Sequence, residues 1–220
     1  LSETMLAQLS DTFAQAALDP AVRVIVLAAN GPAFCAGHDL KEITAARSGK
    51  DNGKAYFEAL FATCASLMQL IVRNPKPVIA EVTGVATAAG CQLVASCDLA
   101  MAADSALFAT PGVNIGLFCS TPMVALSRNV ANKQAMEMLL TGDMISAQKA
   151  QQIGLINQAI SPEELTEQTM AMATKIAAKS TMTIAVGKRA HDFRHHLHRS
   201  AERQRAAPAG GQHKQHPPQA

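Results

Sequence analysis

Pro77-Val78-Ile79-Ala80-Glu81-Val82-Thr83-Gly84-Val85-Ala86-Thr87-Ala88-Ala89-Gly90-Cys91-Gln92-Leu93-Val94-Ala95-Ser96-Cys97-Asp98-Leu99-Ala100-Met101-Ala102-Ala103 is the stretch on which the fold is decided. Pro77 to Val82 is an apolar, β-branched run closed by Thr83-Gly84, the pattern of a buried strand. The small residues from Ala86 to Gly90 lead into Cys91 to Ser96, which predicts a short packed helix, and Asp98 to Ala103 predicts the next strand. Strands alternating with helical segments point to an α/β layered fold rather than a sandwich or a bundle.

Working outward, Ser2 followed by Glu3, with Met5, Leu6, Leu9, Phe13 and Ala16 at three- and four-residue steps, predicts an N-capped amphipathic helix that ends before Asp19-Pro20. Val22 to Ala28 is read as a strand buried on both faces, and 53–73 as a helix carrying Phe57, Leu60, Phe61, Leu67 and Leu70. Downstream, helices are expected near Asn132 to Leu140 and Ser146 to Ile153, flanking Gly142 and ending at Gly154. A short strand follows at Ile156 to Ile160, and Ser161-Pro162-Glu163-Glu164 starts a long helix.

Of the 220 residues, 49% are hydrophobic and 16% charged, which excludes a disordered body. The formal charge of +2 argues against a nucleic-acid binder held by a basic field. From Lys188 onward seven basic residues face two acidic ones, leaving twelve basic and fifteen acidic in residues 1–187. The expected division is therefore a body over 1–187 and a basic His/Gln/Pro-rich tail over 188–220, poorly ordered because apolar periodicity is lost after about Ala190. The longest purely apolar stretch, Val24 to Ala29, predicts no membrane-spanning segment. Residues 1–20 lack Lys and Arg, so no signal or transit peptide is expected, and the opening Leu1 suggests a fragment or a processed product. Five cysteines without a CxxC pair or a His at metal spacing are read as reduced thiols of an intracellular protein, with no metal site.

Two loops, each following a strand and opening a helix, are where chemistry is expected. They are Phe34-Cys35-Ala36-Gly37-His38-Asp39-Leu40-Lys41-Glu42 and Thr87-Ala88-Ala89-Gly90-Cys91-Gln92. Ligands collect at the carboxyl ends of strands because helix N-termini there offer free N–H groups. Two such donors aimed at one carbonyl oxygen form an oxyanion hole, and small residues around Gly37 and Ala89 would let that oxygen approach. Small residues at a helix start also serve close packing, so the loops alone leave both readings open.

Ala33 to Glu42, Pro77-Val78-Ile79-Ala80 through Gly84, Gly90-Cys91-Gln92-Leu93 and Cys97-Asp98-Leu99-Ala100, and Phe108-Ala109-Thr110-Pro111 with Gly116, resemble the enoyl-CoA hydratase/isomerase (crotonase) family. The match runs from about residue 1 to 187. It implies a repeated ββα spiral core, with the family's N-terminal strand and C-terminal helices missing or replaced. It also implies an acyl-CoA thioester as substrate or ligand, no separate cofactor, a role in fatty acid and acyl-CoA metabolism, and assembly as a homotrimer or hexamer. The location implied is cytoplasmic for a bacterial protein and the mitochondrial matrix for a eukaryotic one.

Carried over by position, the oxyanion donors fall on the backbone of His38 and Ala89, and Ala36, His38, Asp39, Leu40, Lys41 and Ala89 line the bound thioester, with Lys41 near a phosphate. The family's two catalytic glutamates fall on Gln92 and Gly112, which offer no titratable pair, so ordinary two-carboxylate hydration is not expected. Whether the chain is an enzyme stays open. The His38 ring could move a proton or contribute only its N–H. Asp39 is expected to cap a helix, Asp98 to bond structurally, and Cys119-Ser120-Thr121 to lie near the acyl end of the ligand. The alternatives are a non-catalytic acyl-CoA-binding protein, and a hydrolase on the related Clp-protease spiral. The latter is disfavoured because no Ser stands beside Gly90 and the later histidines lie in the tail.

Overall fold

The computed structural model describes residues 1–192. Helix α1 spans Glu3–Leu18, with the Ser2 side chain accepting from the Met5 N–H as expected of its N-cap. Then come β1 (Ile25–Ala28), β2 (Ala33–Cys35), α2 (Leu40–Arg47), α3 (Lys54–Arg73), β3 (Val78–Val82), β4 (Val85–Thr87) and α4 (Ala89–Ser96). β5 (Leu99–Ala103) and β6 (Leu107–Ala109) lead through a 3₁₀ turn (Pro111–Ile115) to α5 (Ser120–Asn129) and α6 (Asn132–Thr141). β7 (Ile145–Ser146), α7 (Ala147–Gln152), β8 (Gln158–Ile160), α8 (Pro162–Ala177) and a last helix, α9, over 181–192 complete the described chain.

Successive strands go to two different sheets. β1, β3, β5 and β8 pair in parallel in the order β1-β3-β5-β8. The second sheet runs β2-β4-β6-β7, parallel except for β7. A strand for each sheet followed by helix is the repeating ββα unit of the crotonase spiral, which requires a crossover at every parallel step. The core between sheets and helices is alanine-rich along β5 and filled by Phe108, Leu6, Leu67, Ile71 and Leu126. The small side chains of β5 leave room for its neighbours to pack close against it.

The structure corrects several expectations. β1 begins at Ile25 rather than Val22 and is only half-buried, because it is an edge strand with β3 as its sole partner. β2 and β4 stand between the expected strands and the two loops, so each loop leaves a short second-sheet strand. The boundary expected at 187 falls inside α9, whose Lys188 donates to Asp98 at 2.6 Å and to the carbonyls of Ile71 and Lys76. The expectation about membrane spans counted only uninterrupted apolar runs. α3, with mean hydropathy 1.5, is long and apolar enough to cross a bilayer by length and composition alone; here it packs Leu60, Cys64, Leu67, Met68 and Ile71 into the core. The expected tail lies, from residue 193 onward, outside the described residues.

Phe108 and Leu140 separate core from surface. Truncating the fully buried Phe108 to Ala is expected to cost about 3–5 kcal/mol in urea unfolding. Leu140→Ala, at a site 61% exposed, is expected to stay within about 0.5 kcal/mol.

Candidate functional site

The two loops singled out in the sequence meet. A Cβ built on Gly90 would sit 1.9 Å from the Cys35 carbonyl oxygen, so the first turn of α4 rests directly on the end of β2. Gly37, at φ +103°, faces the same turn at a longer distance: its Cβ would lie 3.1 Å from the Ala88 Cβ and 3.8 Å from the Ala89 nitrogen. The Thr87 hydroxyl donates to the Ala36 carbonyl at 3.1 Å, tying the loops on their other side. Only glycine allows both contacts, at Gly90 through space and at Gly37 through its backbone conformation as well.

Ala88 takes φ 51° and ψ −119°, a left-handed conformation that costs a non-glycine residue about 1–3 kcal/mol. Its own N–H is held by the Ala109 carbonyl at 3.0 Å, so the turn is fixed from both sides. The turn leaves Ala89 as the first residue of α4, with no side-chain cap on the helix. Among the described residues neither the Ala89 N–H nor the His38 N–H has a hydrogen-bond acceptor, although Ala89 is 3% exposed. Unpartnered buried N–H groups at a helix N-terminus favour an oxygen carrying negative charge.

Around the donors, Asp39 does cap α2, its carboxylate accepting from the Lys41 N–H at 2.8 Å. Its backbone N–H donates to the Leu1 carbonyl, and the Leu1 amine donates to the Gly37 carbonyl. Ala36, Leu40 and Lys41 are exposed at the loop and the first turn of α2. The His38 ring lies edge-on to Phe61 at 6.0 Å, and its Nδ1 is buried without a partner. Burial, and then the positive Leu1 amine, hold its pKa below the ordinary 6.5, against the opposing pull of the Leu1 backbone and Glu42.

Gln92 is buried at 6% exposure, one helical turn beyond Ala89, with Oε1 unpartnered. Gly112 is enclosed: a Cβ there would lie 2.7 Å from the Leu117 carbonyl and 2.8 Å from Cys119 Sγ. The Gly112 N–H donates to Cys119 Sγ at 3.3 Å, and burial raises the Cys119 thiol above its ordinary range against that bond. Cys91 is pushed by burial, and then by Cys119, up to about 12; Cys97 rises too, mainly through burial, so both are inert core thiols. Asp98 bonds structurally, to the Val78 N–H and to Lys188. Among the described residues no cluster of His, Cys, Asp or Glu could hold a metal ion. Sequence reasoning missed the closure of Gly112, which carries no local signal because it depends on a loop returning five to seven residues later.

The enoyl-CoA hydratase/isomerase sequence profile matches residues 1–216. Mitochondrial enoyl-CoA hydratase domain-containing protein 3 from Rattus norvegicus is 50% identical over 188 residues, 86% of this chain and 61% of that protein. The chain thus spans about three-fifths of the length of that relative. A solved enoyl-CoA hydratase from Mycobacterium smegmatis is 54% identical with a TM-score of 0.82, covering 88% of this chain and 73% of that one. The human enoyl-CoA hydratase domain-containing protein 3 structure is 49% identical with a TM-score of 0.80, covering 86% and 72%.

Two measurements test the site as built. Gly90→Ala forces a methyl group into the Cys35 carbonyl and is expected to cost at least about 3 kcal/mol in urea unfolding. Because the folded state prefers neutral His38, the unfolded chain binds its proton more tightly. Stability from this residue is therefore present above 6.5 and lost as pH falls through the lower folded pKa. The difference between wild type and His38→Gln in a pH series of unfolding curves is expected to show that loss on the acid side only.

Proposed function

The chain belongs to the enoyl-CoA hydratase/isomerase family, and from that premise we propose that it binds an acyl-CoA thioester with the carbonyl oxygen between the N–H groups of His38 and Ala89. The observation that supports this most directly is the pair of unpartnered donors on two loops in contact through Gly37 and Gly90. Removing a proton beside a thioester, or adding a nucleophile to its conjugated double bond, places negative charge on that oxygen. Preorganised donors in a buried site stabilise such charge without having to reorganise. The exposed Ala36, Leu40 and Lys41, with Asp39, would flank the CoA part of the ligand, Lys41 supplying a point charge for a phosphate. A homotrimer or hexamer, and a place in fatty acid and acyl-CoA metabolism, belong to the same proposal.

The chemistry carried out on the bound thioester is not the two-carboxylate hydration. Gln92 neither gives nor takes a proton at neutral pH. At Gly112 the space for a side chain is filled by Leu117 and Cys119, and the Cys119 thiol stays protonated. In one version the neutral His38 ring, with an unpartnered Nδ1, moves the proton. In the second version the protein binds acyl-CoA without turnover, and the closure of Gly112 favours this one.

Calorimetric titration tests the carbonyl contact without altering the protein. Crotonyl-CoA is expected to bind about tenfold tighter than S-butyl-CoA, a thioether without the carbonyl oxygen, since two donors lose their acceptor. Equal affinities would remove the proposed contact. In the same samples the enoyl absorbance of crotonyl-CoA is expected to persist, and turnover that disappears in His38→Ala would select the first version over the second.

A further inference from the structure

Five buried side-chain polar atoms among the described residues lack a hydrogen-bond partner: His38 Nδ1, Tyr56 Oη, Gln92 Oε1, Arg128 Nε and Thr169 Oγ1. Only one of them, Arg128 Nε, belongs to a group that is always charged. Arg128 stands in the last turn of α5 and lines a cleft of about 180 Å³ at the end of α4 opposite Ala89. Val72, Ala95 and Ala125 give the cleft an apolar wall, and Asp98 and the end of α9 complete it. Asn129 Nδ2 donates to the Ala95 carbonyl at 2.7 Å, which ties the end of α5 to α4 and fixes the place of Arg128.

The other charged groups of the cleft are already matched. Lys188 Nζ gives its three protons to Asp98 Oδ2 at 2.6 Å and to the carbonyls of Lys76 and Ile71 at 3.1 and 3.2 Å. The same carboxylate oxygen accepts from the Val78 N–H at 2.8 Å. His191 and Asp192, which line the cleft from α9, have interactions of their own. Arg128 differs from all of these. Among the described residues nothing accepts from its Nε, and no carboxylate pairs with its guanidinium.

We propose that this cleft binds a small carboxylic acid with an apolar body, its carboxylate accepting from the Arg128 guanidinium and its chain lying along the alanine-lined wall. The site is separate from the one proposed for the thioester: seven helical steps of about 1.5 Å put Ser96, at the cleft, about 10 Å from Ala89. The fork of Nε–H and its neighbouring Nη–H fits the two oxygens of a carboxylate or a phosphate. Charge chooses between them. Asp98, Asp192 and the carbonyl ends of α4 and α5 all border the cleft, so a doubly charged phosphate is repelled where a single charge is matched by Arg128. Size and lining set the body of the ligand: a dry cavity of about 150 Å³ holds benzene, so this cleft admits a chain of about six carbons. Inside the protein an apolar side chain at 128 would remove the unpaired donor at no loss, whereas a bound carboxylate rewards the guanidinium.

The test follows thermal unfolding at fixed ionic strength with hexanoate, hexanol and inorganic phosphate. Hexanoate is expected to raise the Tm saturably, by about 5–10 °C at about a hundredfold excess over its Kd. It is expected to bind at least about tenfold tighter than hexanol, which has the same chain without the charge, and tighter than phosphate, which has charge without a chain. Arg128→Met is expected to bring hexanoate to within about twofold of hexanol and to leave the Tm of the unliganded protein unchanged or higher. In isotope-labelled protein, the arginine Nε–H resonance that is absent from Arg128→Lys is expected to shift as hexanoate is added. Equal binding of hexanoate and hexanol, tighter binding of phosphate, a hexanoate preference that survives in Arg128→Met, or an Arg128 resonance that hexanoate leaves in place would each overturn the inference. Should Arg128→Met not fold, the resonance decides, because it reports on the guanidinium itself in the wild-type chain.

Discussion

The contact on which the site depends is that between a carbonyl and a residue with no side chain. The Cys35 oxygen, at the end of β2, occupies the place where a Cβ on Gly90 would stand. A helix normally meets a strand through side chains, at a separation that would hold the first turn of α4 well away from the loop after β2. With glycine at this one position the two backbones touch, and Gly37 is brought against Ala88 and the Ala89 nitrogen. The chain thereby joins the ends of two spiral repeats that are some fifty residues apart in sequence. Thr87, bonded to the Ala36 carbonyl, and Ala88, bonded to the Ala109 carbonyl, hold the junction from either side.

That junction is expensive to the free protein. The left-handed Ala88 costs about 1–3 kcal/mol, and each buried polar group left without a partner costs a similar amount. A domain of this kind has only about 5–15 kcal/mol of net stability. Strain at Ala88, an open N–H on Ala89 and an open amide oxygen on Gln92 therefore consume a sizeable fraction of it within five consecutive residues. Packing alone would relieve these, with Gly or a capping Asn at 88 and an aliphatic residue at 92. Their coincidence on one turn is what the proposed thioester binding would reward, since a polar ligand supplies missing partners.

Much of this was legible in the sequence because it resides in local chemistry. The Ser2 and Asp39 caps, the C-terminal glycines Gly142 and Gly154 and the β-branched run of β3 each write their conformation into adjacent residues. β2, β4, β6 and β7 are two or three residues long, too short for an alternating pattern to register, and β2 and β4 sit among small residues that read as loop. The seven-residue run at Val22 promised a strand buried on both faces, yet hydrophobicity does not tell a central strand from an edge, and β1 has a neighbour on one side only. α5 was hidden by Pro122, which is tolerated because it stands in the first turn, where its missing N–H has no partner to lose. The two donor loops could be named from sequence, whereas the closeness of Gly37 to Ala89 required the spiral.

The same division separates the two positions at which the proposed reading finds no acid/base pair. At Gln92 the difference from the glutamate that the resemblance implies there is chemical only: an amide has nearly the shape of a carboxylate, and the side chain is buried. At Gly112 the change is architectural. The segment 117–119 has folded over the 3₁₀ turn, the Leu117 N–H donating to the Gly112 carbonyl and the Gly112 N–H to Cys119 Sγ. A carboxylate at 112 would have to displace the buried side chain of Cys119, the residue at the N-cap position of α5, and so disturb a helix packed against α4 itself. The proposed donors and the two side-chain positions therefore lie under different constraints. The N–H groups of His38 and Ala89 are fixed by the backbone junction, and no side chain can remove them. Positions 92 and 112 are side-chain sites, and at 112 the space beside the backbone is filled by Leu117 and Cys119.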